Sequence, residues 1–496
     1  MNPLAGKQCV SRLVMALAAI AALFAAVGCG NGGGIIHPLP GGYSKASLKG
    51  QYVIAQTGIG VNQAGTSSDP FSETIVFTAD GSGGLSITVD DFDQTGGPFG
   101  LSSPLIGSYN IGSDGRGSLT FNFNTPTKYA ITMIDDNHFY VIEQDLFATA
   151  SGFGEKQDTT AFTAAPSGTF VFEAHDIGTS SRVGGVAISG GAISGTEDLL
   201  TAGLLSSSHP IATTVSMTMP DANGRGTFTL DDGSSFNYYV VNSSKFHFMS
   251  NSTSGSLEIG QAELQTGGPF SVATLAAGTS YVFGSSGDTS FPLGIHSAGV
   301  FTTDGNGNIT AGAADYVQDT TVNSDLTVSG GSYTLPANGG GRGTIHLTLS
   351  GGTISPQIFW MVNGIRAYFL ADSTVAVEDG TFSRQQGGPF SALGNQAAFV
   401  MDGFDTAYKD RVGVFAPTSS GFNWNQAANS FDTTLGGAPS TLGTNGTAQV
   451  SSNGRVAMTV NGVTNSLVFY LSSPGTGFMV EEDADVGGAF SQQASQ

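Results

Sequence analysis

Apolar and polar residues alternate in short runs from about residue 47 to the end of the chain. Gly, Asn and Asp separate these runs, as in the segment VFTTDGNGNIT at residues 300–310. Alternation with a period of two, bounded by residues that tolerate tight turns, predicts antiparallel β-strands joined by hairpins. The pattern predicts no helix in this part of the chain.

A short turn motif, in which Gly precedes Arg, divides the chain into repeats. Its arginines are Arg116, Arg225, Arg342 and Arg455, which are 109, 117 and 113 residues apart. An aromatic strand opens each repeat, and two strands rich in aromatic residues follow each arginine. We therefore predict four β-meander units of seven or eight strands, at residues 47–163, 164–276, 277–391 and 392–496.

Each unit is long enough to bury a core of its own. A meander of eight strands can close into an up-and-down barrel, which removes the exposed sheet edges. The predicted fold is all-β, with four small eight-stranded, calycin-like barrels in a row. Open β-sandwiches, or a single propeller with two blades per repeat, remain alternatives. Gly-Gly-Pro-Phe at 267–270 and 387–390, and Gly-Gly-Ala-Phe at 487–490, are predicted joints between or after the units.

The N-terminus has the pattern of an export signal. Lys7 and Arg12 precede an apolar run at 13–27, which is shorter than the ~20 residues that a spanning helix needs. The run ends in Ala-Val-Gly-Cys and resembles the lipobox of bacterial lipoproteins. That resemblance implies that residues 1–28 are a signal peptide and that Cys29 is lipidated, so that the membrane is a partner through a lipid anchor. An ordinary signal peptide cut near Cys29 is the alternative.

Residues 29–46 then form a Gly/Pro-rich tether. No aspartate follows Cys29, which favours the outer membrane. Cys9 would leave with the signal, so the exported chain has a single cysteine and no internal disulfide. Its stability must come from burial.

Composition narrows the range of partners. Charged residues make up 11% of the chain, against ~25% in ordinary soluble domains, and the net charge is −22. With 16 basic residues in all, the chain lacks the basic footprint of a nucleic-acid-binding protein. We predict no nucleic-acid partner and no cofactor.

Acidic residues recur where one strand of each repeat ends. They are Asp91, Asp198, Asp315 and Asp432, of which the last three are each 117 residues apart. Regular spacing indicates a repeated structural role. We predict that each acid pairs with the turn arginine of its own repeat.

A weak calcium candidate lies in the third repeat. Asp304, Asn306, Asn308 and Asp315 place oxygen ligands at positions 1, 3, 5 and 12 of a calcium loop. Ile309 stands where such a loop needs glycine, so we predict a plain hairpin and no metal site.

Signatures of enzymes are missing from the sequence. The seven histidines are never closer than 34 residues, and no serine lies in a G-x-S-x-G motif. Acidic pairs such as Asp90-Asp91 are available for glycoside hydrolysis but lie beside predicted turns. The sequence therefore predicts a protein that is not an enzyme.

The motifs F-T-x-D-G-N-G-N-I-T at 301–310, G-S-Y-T-L at 331–335 and N-G-R-G-T at 223–227 together carry a resemblance. They resemble repeats in exported, largely uncharacterised β-rich proteins of soil bacteria such as acidobacteria. The resemblance implies a surface or periplasmic protein without established catalytic residues. The leading hypothesis is a lipid-anchored interaction or adhesion module that binds a partner in the envelope or outside the cell. The alternatives are barrels that each hold a small apolar ligand, and a polysaccharide-active enzyme.

Overall fold

The computed structural model describes residues 42–61, 68–95, 97–101, 104–123, 125–177, 179–251, 257–290, 293–351, 354, 357–372, 376–404, 407–419, 421–432, 436–461, 466–482 and 484–494. The predicted signal peptide, Cys29 and most of the predicted tether lie outside these residues. Within them, no helix has the length and apolar character needed to cross a bilayer.

Four closed antiparallel barrels follow one another along the chain. The first contains β1 (Lys49–Val61), β2 (Ser68–Asp80), β3 (Gly84–Gln94), β4 (Gly97–Gly100), β5 (Leu105–Ile111), β6 (Arg116–Phe121), β7 (Thr127–Met133), β8 (His138–Gln144) and β9 (Ala148–Lys156). The second contains β10 (Gly168–Asp176), β11 (Ser180–Ser189), β12 (Ala192–Thr201), β13 (Leu204–Val215), β14 (Arg225–Leu230), β15 (Ser235–Asn242), β16 (Lys245–Ser250) and β17 (Ile259–Leu264).

The other two barrels repeat this order. The third contains β18 (Thr279–Ser290), β19 (Leu293–Thr303), β20 (Asn308–Gln318), β21 (Thr321–Thr334), β22 (Arg342–Leu349), β23 (Gln357–Asn363), β24 (Arg366–Ala371) and β25 (Val377–Arg384). The fourth contains β26 (Ala397–Phe404), β27 (Tyr408–Thr418), β28 (Gly421–Asp432), β29 (Gly436–Val450), β30 (Arg455–Val460), β31 (Ser466–Ser473), β32 (Thr476–Glu481) and β33 (Asp485–Gln492). Three short 3-10 helices lie at Lys45–Ser47, Thr159–Thr163 and Val272–Thr274.

Sequential strands pair with one another, and the first strand of each barrel also pairs with the last, as β10 does with β17. In the first barrel β4 is an extra strand that pairs only with β3, and the β2–β3 pairing completes an eight-stranded closure. The prediction of four eight-stranded up-and-down barrels is confirmed. The sandwich and propeller alternatives are wrong, because every repeat closes on itself.

Alternate residues of each strand fill the barrel interior. In β1, Tyr52 and Ile54 point inward, whereas Val53 and Ala55 point outward. Aromatic rings make up much of each core, for example Tyr281 stacked on Phe301 at a centroid distance of 5.6 Å. The second barrel retains an internal cavity of about 40 Å³, which is room for little more than one water molecule. That space is too small for a ligand of the calycin kind.

Two of the predicted joints close the end of the following barrel. Phe270, at the end of the 267–270 joint, packs into the core of the third barrel, and Phe390 packs into the core of the fourth. The prediction of a third joint at 487–490 is wrong, because these residues lie inside the last strand, β33.

The barrels form a closed ring, and the expected row is wrong. Outward-facing apolar residues of each barrel pack against the next barrel, and four separate buried clusters result. The fourth cluster joins the last barrel to the first, through Val412 against Ala130 and Ile142. The clusters of the other three junctions are Val53, Ala55, Val76 and Val89 with Tyr239, Val241, Met249 and Ile259; Val171, Val183 and Leu200 with Trp360, Val362, Tyr368, Leu370 and Val377; and Val282, Ala298, Val300, Ala313 and Val317 with Val468, Tyr470 and Val480.

A glutamine just after the last strand of each repeat fastens it to the next barrel. Each amide Nε2 donates to two backbone carbonyls, one in the glycine-arginine turn and one in the second strand after that turn. The bonds run from Gln157 to Asn223 O (3.2 Å) and Val240 O (2.7 Å), from Gln265 to Gly340 O (2.8 Å) and Met361 O (2.8 Å), from Gln385 to Asn453 O (2.8 Å) and Leu471 O (2.7 Å), and from Gln493 to Asp114 O (3.1 Å) and Met133 O (2.6 Å). The last of these closes the ring.

Candidate functional site

The periodic arginines and acids meet at the junctions between barrels. Arg342 donates to both carboxylate oxygens of Asp198, from Nε at 2.8 Å and from Nη2 at 2.6 Å. Arg455 holds Asp315 in the same two-pronged way, at 2.8 and 2.7 Å. Arg225 holds Asp91, at 2.5 and 3.2 Å. The prediction of pairing within a repeat is wrong, because the acid sits on the outward face of one barrel and reaches the arginine of the next.

An aromatic side chain completes each of these three pairs. Trp360 Nε1 donates to Asp198 at 2.9 Å, and the hydroxyls of Tyr239 and Tyr470 donate to Asp91 and Asp315. The carboxylates are thus buried with charged and neutral donors around them. Such charge-assisted bidentate pairs fix the relative position of two surfaces as well as attracting them.

Asp432 is not the fourth member of the acidic series. The strand register pairs Asp91 with Thr74, Asp198 with Val183 and Asp315 with Ala298, and the corresponding residue opposite Val412 is Ala427. Asp432 pairs with Gly436 at the end of its hairpin. Arg116 instead forms an ion pair with Asp114 of its own turn, at 2.7 Å.

The calcium candidate is a hairpin turn with an aspartate cap. Asp304 Oδ1 accepts the backbone N–H groups of Asn306 and Asn308, at 2.7 and 3.0 Å, which is a common way of stabilising such a turn. Asp315 lies along the strand toward the other end of the hairpin and is held by Arg455. The four proposed ligands are not brought together, and the described residues contain no cluster of three or more His, Cys, Asp or Glu that could hold a metal ion.

A cleft of about 350 Å³ lies where all four barrels meet. It is lined by the first and last strands of every repeat. A smaller space of about 160 Å³ shares Asp379, Asp402 and His175 with it. We call these two spaces together the axial cleft.

Six acids from three barrels line the axial cleft, and three of them, Glu173, Asp379 and Asp402, line its larger space. Glu173 accepts a hydrogen bond from Gln261 Nε2 at 2.6 Å. Asp402 accepts one from Ser151 Oγ of the first barrel at 2.9 Å, and Asp379 accepts one from the hydroxyl of Ser181. The other amide atom of Gln261, Oε1, is buried without a hydrogen-bond partner in the described part of the chain.

Burial and mutual repulsion raise the pKa of several acids in the cleft. Burial, followed by the charge of Asp379, raises the pKa of Glu173 to about 8. Burial also raises the pKa of Asp379 itself. Deeper in the cleft, burial and the charge of Asp402 raise the pKa of Asp410 to about 8. A cation that binds beside such an acid favours its ionised form, so that the acid releases its proton to the solvent on binding.

Aromatic rings and three histidines, His175, His247 and His296, surround the acids. Phe153, Phe478 and Tyr140 line the cleft, and none of its described lining residues is lysine or arginine. The two nearest cations are paired at the junctions: Lys245 with Glu155 at 2.7 Å, and Arg366 with Glu263 at 2.7 Å. The cleft is therefore an acidic, partly aromatic site, and such a site attracts organic cations when its carboxyl groups are ionised.

The four repeats differ most where they face this cleft. The positions equivalent to Glu173 are Ala55, Gly284 and Val400, and those equivalent to Asp402 are Thr57, His175 and Ser286. By contrast, the glutamine at each junction is the same four times. The acids of the axial cleft do not follow the repeat, although Asp379 and Asp402 each accept a hydrogen bond from a neighbouring barrel.

Sequence reasoning missed both the junction glutamines and the axial acids. Gln157, Gln265, Gln385 and Gln493 are 108, 120 and 108 residues apart, so their period was available in the sequence. The axial acids carry no such signal, because each occurs in one repeat only.

Comparison with known proteins does not assign this chain to a family. No family model and no curated protein matches the sequence. Among solved structures, the intact transferrin-binding protein Ap-TbpB is 7% identical, with 67% of this chain and 76% of that chain covered and a TM-score of 0.19. Transferrin-binding protein B of Haemophilus parasuis Hp5 is 9% identical, with 68% and 76% covered and a TM-score of 0.21, and CghA with Sch210972 is 8% identical, with 90% and 89% covered and a TM-score of 0.14. Likenesses at these TM-scores carry no argument about function.

Proposed function

We propose that this protein is a lipid-anchored, non-enzymatic binding module of the cell envelope, and that its axial cleft binds a small organic cation. The observation that carries the proposal is the set of acids from three barrels around one cleft, with aromatic rings beside them and no lysine or arginine among the described lining. An ammonium group would be attracted by the carboxylates and by the ring faces. The filled interior of the second barrel supports a site between the barrels rather than inside one.

Titration calorimetry with benzyltrimethylammonium tests the axial cleft, since this probe keeps its charge at every pH. We expect Asp379→Asn to weaken binding about tenfold, the cost of losing roughly 1.4 kcal/mol of attraction. Asp372→Asn is the matched control, because Asp372 is exposed and outside the cleft. Affinity should rise from pH 6 to pH 9 as Glu173, which faces Asp379, Arg366 and Glu263, loses its proton. A wild-type protein that does not bind, or an Asp379→Asn variant that binds as well as wild type, would contradict the proposal.

Fractionation of cells tests the anchor. The lipobox-like residues before Cys29 support lipidation, and Cys29→Ser removes the thiol that would carry the lipid. We expect this variant to leave the detergent phase of the membrane fraction, whereas Cys9→Ser, which changes a residue of the predicted signal peptide, should stay there. Recovery of Cys29→Ser from the detergent phase would overturn the anchor.

A polysaccharide-active enzyme is the second candidate, and one observation favours it. Glu173 retains its proton at neutral pH while Asp379 lies close enough to influence it, and a protonated acid beside a second carboxyl group is the pair that glycosidases use. Release of reducing ends from envelope polysaccharides distinguishes the two functions. Release that is lost in both Glu173→Gln and Asp379→Asn would support the enzyme; the binding proposal expects no release by the wild type.

A further inference from the structure

At three of the four junctions, a carboxylate of the neighbouring barrel and an aromatic side chain lie beside the turn arginine. Among the described residues, the junction between the fourth and first barrels has neither. The strand register places Thr132 opposite Arg116, where Tyr239, Trp360 and Tyr470 lie opposite the other three arginines. Ala427 occupies the place of the aspartate. The junction between the fourth and first barrels thus lacks both the acid and the ring.

A cavity of about 250 Å³ lies at this junction. Its lining includes Arg116, which has no aspartate from the neighbouring barrel among the described residues, and Thr132 and Ala427, which replace the aromatic residue and the aspartate of the other junctions. Gln144, Val412 and Gln426 also line it. At about 30 Å³ for each molecule of liquid water, the volume equals that of about eight waters. It is large enough for a compound with a single ring.

Two polar groups at the cavity are not fully used by the protein. Thr132 is completely buried, and its Oγ1 has no hydrogen-bond partner in the described part of the chain. It faces the junction, since it is on the same side of β7 as Ala130, which packs against the fourth barrel. Arg116 forms its one ion pair in the described part of the chain through Nε, with Asp114, and its side chain is 37% exposed.

The other junctions indicate which ligand this cavity suits. There an arginine in the same strand position uses Nε and Nη2 to hold a carboxylate, and an aromatic side chain donates to that same carboxylate. Arg116 lines the cavity and pairs with Asp114 through Nε, and Thr132 supplies a hydroxyl. Val412 and Ala427 supply an apolar wall for a ring.

We propose that the cavity at the fourth junction binds a small aromatic carboxylate. Its carboxylate pairs with Arg116 in place of the missing aspartate, and its ring occupies the space of the missing tyrosine or tryptophan. This site is separate from the axial cleft and takes a ligand of opposite charge. Binding would add to the fourth junction the contacts that the other three contain.

Fluorine NMR of 4-fluorobenzoate with the mature protein tests this site, with unlabelled benzoate as competitor. We expect Arg116→Gln to weaken binding about tenfold or more, because a charge-assisted pair is lost. Arg384→Gln is the matched control, since Arg384 is exposed in the third barrel. The probe 4-fluorobenzylamine has the same ring with a positive charge and should not compete with 4-fluorobenzoate at this site.

The double variant Thr132→Tyr with Ala427→Asp rebuilds the arrangement of the other junctions. It should abolish 4-fluorobenzoate binding and raise the melting temperature. If the double variant does not fold, Thr132→Tyr alone should fill the space proposed for the ring of the ligand and block 4-fluorobenzoate binding. Absence of binding to the wild type, or unchanged binding in Arg116→Gln or in a folded variant with the cavity filled, would overturn the proposal.

Discussion

At the scale of single residues, the equivalent arginines of the four repeats have different partners at different junctions. Arg455 crosses to the third barrel and neutralises Asp315, whose side chain is 1% exposed. At the junction between the second and third barrels, burial acts to lower the pKa of Arg366. The partners Tyr368 and Glu263 more than offset this effect, so the pKa of Arg366 is raised. The motif predicts where an arginine stands in the chain, whereas its partner depends on the barrel next to it.

Replacing Arg455 should therefore cost more stability than replacing Arg116. Arg455→Met leaves a buried carboxylate without its charged partner, and we expect a loss of about 3–5 kcal/mol. Arg116→Met removes a half-exposed pair within one turn and should cost less than about 1 kcal/mol. Denaturant unfolding followed by tryptophan fluorescence measures both, and equal losses would contradict the assignment of junction pairs.

At the scale of strands, alternation predicted the barrels, and a second feature of the same strands indicated that the barrels pack against one another. The runs at 238–241 and 358–362 are apolar or aromatic on both faces. Strands that are apolar on both faces are buried on both faces. The inner face fills a barrel, as Phe359 does, and the outer face packs on a neighbouring barrel, as Trp360 does. The prediction of the barrels rests on the inner face alone.

The close packing of strands across junctions can be tested at Gly284 in β18. A Cβ there would lie 2.3 Å from Cγ of Phe478 in the fourth barrel. We expect Gly284→Ala to lose about 1–3 kcal/mol, because the junction is overpacked. At Gly364, in the turn between β23 and β24, nothing lies within 4 Å of such a Cβ. Gly364→Ala should change stability by less than about 0.5 kcal/mol, and calorimetry that finds both variants alike would contradict this packing.

At the scale of the whole molecule, buried acids make the stability depend on pH. Burial raises the pKa of Asp93 and Glu258 to about 7 and of Asp485 to about 6, and that of Glu173 and Asp410 to about 8. Between pH 5 and pH 8 the folded protein keeps protons that the unfolded chain releases. The free energy of unfolding must then fall as pH rises.

Other groups limit this trend. The pKa of Glu155 is lowered, despite its burial, by Lys245 and His247, so its contribution is lost as pH falls below about 4. Burial lowers the pKa of His247, so this residue favours folding as pH rises to about 6.5. We expect maximal stability at weakly acidic pH and a decline toward pH 8.5.

Calorimetry at pH 5, 7 and 8.5 checks the trend. Asp410→Asn should reduce the fall in the free energy of unfolding between pH 5 and pH 8 by on the order of 2–4 kcal/mol, because Asp410 is 5% exposed. Asp304→Asn is the control, since the pKa of Asp304 is lowered by its turn hydrogen bonds and it is ionised in both states throughout this range. A melting temperature that rises from pH 5 to pH 8.5 would contradict the burial of these acids.

The sequence by itself determined the strands, the four repeats and the closed barrels. These follow from local alternation, from turn residues and from a repeat length that suits an eight-stranded meander. Only the tertiary structure decided that the barrels close into a ring, that Arg225 reaches Asp91, and that Glu173, Asp379 and Asp402 share one cleft. The physical reason is distance along the chain: each of these contacts joins residues of different repeats, and the local pattern around each residue is the same whether or not its partner is present. The missing acid at Ala427 shows this most clearly, since the periodic spacing points to Asp432 and only the strand register identifies the true equivalent.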